Sequence, residues 1–137
     1  MKLFFPLIFF VCLQAIMAQQ PDPLSESIKL GETIYRKKCS ACHGKNGMGK
    51  GKRIPPLAKS DYLKNNPEES IRGILFGQEG EIVVNGIAYD KKMKAIKLTN
   101  QEVADVMNYI INSWGNKSST TITREKVAEL RMTNPKQ

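Results

Sequence analysis

The sequence predicts a mainly α-helical single domain with one small β-hairpin, and three observations lead there. Two stretches, starting near Ser25 and Thr99, repeat apolar residues at helical spacing; Asn85-Gly86 separates two short β-rich runs; and 137 residues suffice for one core but not two. Lys and Arg number 21 against 13 Asp and Glu, the formal net charge is +8 and 41% of residues are hydrophobic. That balance describes a folded basic protein, not a disordered tail. Three cysteines (Cys12, Cys39, Cys42) and one histidine, His43, set a tighter limit. A structural zinc site needs four N or S ligands and a catalytic triad needs an aligned histidine, so the chemistry passes largely through His43 or through something the chain binds.

Lys2 precedes an apolar run from Leu3 to Met17, broken by Pro6 and Gln14 and ending at Ala18. Residues 1–18 read as a secretory signal peptide cleaved after Ala18. About 15 residues at 1.5 Å rise reach roughly 22 Å, short of a hydrocarbon core near 30 Å, so no stable membrane insertion is expected after cleavage. Bulky Val11 argues against lipid attachment at Cys12, which leaves with the leader. Residues 19–24 are a Pro-rich, polar, flexible lead-in. A first helix is expected from Ser25 to about Lys38, with Ile28, Gly31, Ile34, Tyr35 and Cys39 along one side. Four glycines in residues 44–53 make a surface loop, and Pro55-Pro56 enforces extended backbone.

Asn66-Pro67-Glu68-Glu69 reads as a helix start, with Asn66 as cap, Pro67 at the first position and the acids facing the positive end of the dipole. Ile71, Ile74 and Leu75 supply its apolar face and Gly77 ends it. Ile82-Val83-Val84 and Ile87-Ala88-Tyr89 flank Asn85-Gly86, the pair best suited to a type I′ hairpin turn. Thr99-Asn100-Gln101-Glu102 is a capping box, with Leu98 and Val103 as its hydrophobic staple. Val103, Val106, Met107, Ile110 and Trp114 then trace one stripe closed by Gly115, and the other side of this helix is polar. Residues 25–116 form the domain; 117–137 are a C-terminal extension, a polar linker followed by a short helix with Val127 and Leu130 inward.

Cys39-Ser40-Ala41-Cys42-His43 is C-x-x-C-H, the attachment motif of c-type haem. One helical turn carries two thiols to two vinyl groups on one edge of a porphyrin, and the adjacent imidazole is held beneath the iron. Three competing readings are weaker. A zinc half-site lacks a second Cys or His pair; a thioredoxin-like C-x-x-C follows a strand, whereas this one ends a helix; and a plain disulfide leaves His43 without a purpose. The expected cofactor is therefore one covalent haem c, with Cys39 and Cys42 as thioethers and His43 as proximal ligand.

Methionine is the usual sixth ligand of electron carriers. Met17 lies in the leader, Met48 is five residues from His43 and too close to reach the opposite face, Met107 sits on an apolar helix stripe and Met132 is near the C-terminus. Met93 follows the hairpin, 50 residues after His43, with enough chain to wrap around the ring. It is the expected distal ligand.

At this point residues 25–115 resemble the class I monohaem cytochromes c of bacteria. Gly31, Tyr35 and Cys39, each four apart, are similar to the family's small residue, aromatic residue and first haem cysteine, and Val106 and Tyr109 match the positions of the helix that crosses at the small residue. Ile54-Pro55-Pro56-Leu57-Ala58-Lys59-Ser60-Asp61-Tyr62-Leu63 and Asn112-Ser113-Trp114-Gly115-Asn116 also resemble family stretches. Lys94 stands where the family usually has proline after its methionine. The resemblance implies the cytochrome c fold, with N- and C-terminal helices crossing over one haem and the hairpin before the Met loop. It also implies that the Pro55 carbonyl accepts the His43 Nδ1 proton, fixing the tautomer and raising ligand basicity.

Both axial positions of such an iron are filled, so the expectation is a periplasmic electron carrier of a respiratory or dehydrogenase pathway, not an enzyme. Between residues 36 and 64, nine basic side chains meet Asp61 alone, and Lys91, Lys92, Lys94 and Lys97 surround Met93. These segments flank the haem and would steer redox proteins with acidic docking surfaces. Nucleic acid is not an expected partner, since no binding motif is present. Two alternatives remain: a haem subunit of a larger oxidoreductase complex, with the extension as a contact, and a c-type haem sensor or peroxidase if the Met93 bond is labile.

Overall fold

The computed structural model describes residues 22–133; the leader and the first part of the lead-in lie outside them. Helix α1 spans Pro23–Lys38, two residues earlier than the apolar spacing suggested, because Asp22 caps it by accepting from the Ser25 N–H at 3.3 Å and Pro23 opens it. Pro23 and Leu24 therefore belong to the helix rather than to a flexible lead-in. One more turn, α2 (Ser40–His43), continues through the motif, its amides bonding back to the Cys39 carbonyl.

Two short helices follow the glycine loop: α3 (Asp61–Asn65), which the apolar pattern did not show, and α4 (Pro67–Phe76). The Ser60 hydroxyl caps α3 by accepting from the Leu63 N–H at 3.1 Å. Asn66 does not cap α4 with its side chain; its amide nitrogen donates instead to the Tyr62 carbonyl at 3.2 Å, closing the helix behind it. Strands β1 (Ile82–Val84) and β2 (Ile87–Tyr89) pair antiparallel with Val84 opposite Ile87. Asn85 and Gly86 take φ of 50° and 76°, as a type I′ turn requires.

Helix α5 (Asn100–Ile110) starts at the expected capping box, with the Thr99 N–H donating to Glu102 Oε2 at 2.8 Å. It ends a turn before Trp114. Asn112 donates to the Asn108 carbonyl, Ser113 to the Tyr109 carbonyl and Asn116 to the Ile110 carbonyl, so side chains satisfy the last helical acceptors. Trp114 then turns into the left-handed region at φ 52°.

Helices α1 and α5 cross in direct backbone contact. A Cβ at Gly31 would overlap the Asp105 carbonyl and lie 2.8 Å from Tyr109 Cβ. The crossing partners are thus Asp105 and Tyr109, with Val106 fully buried beside them. The polar side of α5 is buried too. Asp105 accepts from Ser27 at 2.6 Å and Gln101 at 2.9 Å, while Asn108 donates to Ser27 and exchanges two hydrogen bonds with the backbone of Ile122. That exchange fastens the C-terminal segment, whose helix α6 (Arg124–Met132) buries Val127 and Leu130 completely. Arg72 from α4 donates to the carbonyls of Leu130 and Thr133, and Arg131 reaches back to the Leu98 carbonyl and Asn100 Oδ1. Among the described residues no helix is long and apolar enough to cross a membrane.

Two stability outcomes follow, both read as denaturation midpoints in guanidinium. Gly31→Ala forces the two helices apart and should cost about 1–3 kcal/mol or more. Asn108→Ala leaves the Ile122 amide and carbonyl unpaired in the interior, at about 1–3 kcal/mol for each group left without a partner.

Candidate functional site

One cavity of about 620 Å³ opens on the side of the α1–α5 pair, within the range of small-molecule and cofactor sites. Cys39, Cys42, His43, Pro55 and Met93 all line it. Its wall is otherwise mainly apolar, built from Leu57 of the proline segment, Leu63 of α3, Ile74 of α4, Val84 and Tyr89 of the hairpin, and Met107 and Ile110 of α5.

Cys39 caps the end of α1 and Cys42 stands in the next turn, α2. Neither is in a disulfide; Cys39 is buried and Cys42 exposed. Burial, and then the neighbouring Cys42, push the Cys39 thiol up to about 11. His43 Nδ1 lies 3.1 Å from the Pro55 carbonyl oxygen. A carbonyl only accepts, so the proton sits on Nδ1 and Nε2 keeps its lone pair. Burial lowers the His43 pKa and the hydrogen bond to Pro55 opposes it, and the neutral imidazole is favoured by the larger cause.

The segment between His43 and Pro55 is folded tightly by its glycines. Gly49 N–H donates to the His43 carbonyl at 2.8 Å, and a Cβ at Gly49 would overlap the Ile54 carbonyl and lie 2.7 Å from the Pro55 oxygen. The Gly47 carbonyl accepts from both Leu57 and Ala58, and a Cβ there would lie 2.5 Å from the Trp114 ring. Trp114, Tyr35 and Tyr109 form an aromatic cluster with centroids 4.8–5.5 Å apart. Tyr35 donates its hydroxyl to the Gly44 carbonyl at 2.7 Å, and burial raises its pKa far above the ordinary phenol value, so it stays a neutral donor. The sequence presented these glycines only as a loop.

Met93 lines the same cavity, and Lys94 follows it. The Met93 N–H and carbonyl both bond to Gln78, at 2.9 and 3.0 Å, and Ile96 N–H donates to the Ile74 carbonyl. Gly77, at φ 85°, permits this bridge, since a Cβ there would stand 2.7 Å from the Met93 carbonyl oxygen. Neither Gly77 nor Gln78 stood out in the sequence as part of the site. Lys38, Arg53, Lys91, Lys92, Lys94 and Lys97 also border the cavity, with Glu69 as the acidic exception.

The family model for cytochrome c matches residues 28–114. The chain belongs to the cytochrome c family. This cytochrome is 34% identical over 110 residues to cytochrome c-552 of Thermus thermophilus, covering 74% of its own length and 83% of the relative. It is also 34% identical over 107 residues to the cytochrome c subunit of a quinone alcohol dehydrogenase from Gluconacetobacter polyoxogenes. A gluconate 2-dehydrogenase cytochrome c subunit from Pantoea cypripedii is 34% identical over 106 residues. The chain spans only 22% and 24% of those two subunits. Membership implies a covalently held haem c, and the cavity fits it in kind: two free thiols, a neutral imidazole, a thioether in the same lining and an apolar wall.

The Gly47–Trp114 contact gives a direct check. Gly47→Ala adds a Cβ against the indole at φ 67° and should lower stability by about 1–3 kcal/mol, measured by thermal denaturation of the haem-loaded cytochrome.

Proposed function

We propose that this cytochrome is a periplasmic one-electron carrier with a single haem c, passing electrons between respiratory or dehydrogenase partners and catalysing no reaction of its own. Cys39 and Cys42 would hold the haem by thioethers, and His43 Nε2 and the Met93 sulfur would bind its iron. The observation that carries this reading is the convergence of these four side chains on one apolar cavity. When bound, the haem supplies a ferric/ferrous couple.

The chain's own residues set the conditions of that couple. The Pro55 carbonyl holds the His43 Nδ1 proton, which orients the ring and makes Nε2 a stronger donor. The Gln78 bridge and the close approach at Gly77 hold the Met93 backbone in place, so the thioether is presented without a large rearrangement. Apolar walls from α3, α4, α5 and the hairpin exclude water, and exclusion of water together with a thioether ligand favours the reduced form. Residues 1–18 act as a cleaved export signal in this reading, and the basic cavity rim recognises acidic redox proteins. A second reading, a subunit of a dehydrogenase complex, is favoured by two relatives that are cytochrome c subunits of an alcohol and a gluconate dehydrogenase. It keeps the same haem site and differs in whether the partner is permanent; the purified protein eluting alone from size exclusion under native extraction would count against it.

Axial ligation is tested on the haem-loaded protein. Met93→Ala should abolish the far-red sulfur-to-iron absorption band and lower the reduction potential by tenths of a volt, within the roughly 0.8 V that axial ligands span. An unchanged spectrum and potential would remove Met93 from the site.

A further inference from the structure

We infer that helix α6 braces the Met93 loop from two sides, with Arg72 and Arg131 as positioning residues that keep the methionine on the haem iron. This inference rests on the electron-carrier reading, in which Met93 binds that iron, and adds which remote residues hold it there.

The loop has little rigidity of its own. Residues 90–99 lie outside helix and strand, and no proline occurs between Gln78 and Thr99 to restrict the backbone. Its order is borrowed from two neighbours. On one side Met93 exchanges two backbone hydrogen bonds with Gln78, just past α4, and Ile96 N–H donates to the Ile74 carbonyl within α4 at 2.9 Å. On the other, Arg131 of α6 donates from Nη2 to the Leu98 carbonyl at 2.9 Å and from Nε to Asn100 Oδ1 at 2.7 Å, which fixes the loop where it enters α5. Met93 is therefore placed only as firmly as α4 and α6 are.

Arg72 joins those two helices. Its side chain, 18% exposed, donates from Nη1 to the carbonyls of Thr133 at 2.7 Å and Leu130 at 3.3 Å, and from Nη2 to Thr133 Oγ1 at 3.1 Å. These acceptors lie at the C-terminus of α6, where the helix dipole also favours a cation. Beneath the arginine, Ile71, Ile74 and Leu75 of α4 share one buried cluster with Val127 and Leu130 of α6. The ion pair between Lys126 and Glu68, at 2.6 Å, is exposed on the glutamate side and adds little. Loosening α6 thus loosens the supports at Ile74, Gln78 and Leu98 together. The α1–α5 crossing at Gly31 does not depend on either arginine, and thioethers at Cys39 and Cys42 would keep the haem attached. What such an opening breaks is the bond from Met93 to the iron.

The test is imidazole binding to the haem-loaded ferric protein, followed through the far-red sulfur-to-iron absorption band. Imidazole takes the place Met93 leaves, so its apparent affinity scales with the fraction of molecules in which the loop is open. Arg72→Ala and Arg131→Ala should each bind imidazole about fivefold or more tightly than the parent, within the range that coupling between distant sites reaches. Arg72→Lys keeps the charge beside Glu69 but not the planar fork that reaches three acceptors, and it should also bind more tightly than the parent. Asp22→Ala removes the cap of α1 and lowers overall stability without touching α4 or α6, and should bind imidazole as the parent does. Parent-like affinity in any of the arginine variants, or an equal gain in Asp22→Ala, overturns the inference. Far-ultraviolet circular dichroism checks each fold; were Arg72→Ala to lose it, Arg72→Lys and Arg131→Ala carry the test. A parent protein without the far-red band would instead overturn the reading of Met93 as a ligand.

Discussion

The close crossing of α1 and α5 at Gly31 is the constraint on which the other elements depend. Because glycine lets the backbone of α5 approach without a side chain between, α1 is fixed along its length and its last turn emerges at a set place. Tyr35, one turn further along α1, fills the space behind the crossing and reaches the Gly44 carbonyl. The two cysteines and His43 therefore face the cavity from a turn that cannot slide. The Met93 loop is tied to α4 through the Ile96 N–H and the Ile74 carbonyl, and it borders the same cavity as Met107 and Ile110 of α5.

The C-terminal extension serves that crossing. Asp105 and Asn108 would be a burial cost on α5 if left alone, since a buried polar group without a partner is expensive. Ser27, Gln101 and the Ile122 backbone satisfy them, and α6 seals the apolar gaps with Val127 and Leu130. Ile122, Val127 and Leu130 thus belong to the same hydrophobic core as α1 and α5, with Arg72 and Arg131 acting as outer ties.

Much of this was legible in the residues, and the parts that were not have definite causes. The haem motif, the capping box at Thr99 and the Asn85-Gly86 turn are local signals, in which adjacent residues carry the whole chemistry, and each element appears where the sequence put it. The end of α5 was misread because Trp114 continues the apolar period, whereas Asn112, Ser113 and Asn116 use their side chains to stop the helix. Asn66 carried a capping signal that the preceding helix claimed first. The roles of Gly47, Gly49, Gly77, Gln78 and Asn108 depend on what arrives from elsewhere in the chain, and no single-sequence pattern announces a neighbour dozens of residues away. The cavity brings Cys39, Cys42, His43, Pro55 and Met93 to one place, and the Pro55 carbonyl lies within hydrogen-bond reach of His43.

The central claim is that this fold exists to hold one haem through both thiols of a single turn. Intact mass spectrometry of the denatured protein, produced in a host that matures c-type haem, tests it most directly. The account predicts the mature polypeptide plus one haem, with one thioether bond surviving in either Cys39→Ser or Cys42→Ser and no covalent haem when both are replaced. Bare polypeptide from the parent, or haem still attached after both substitutions, would contradict it.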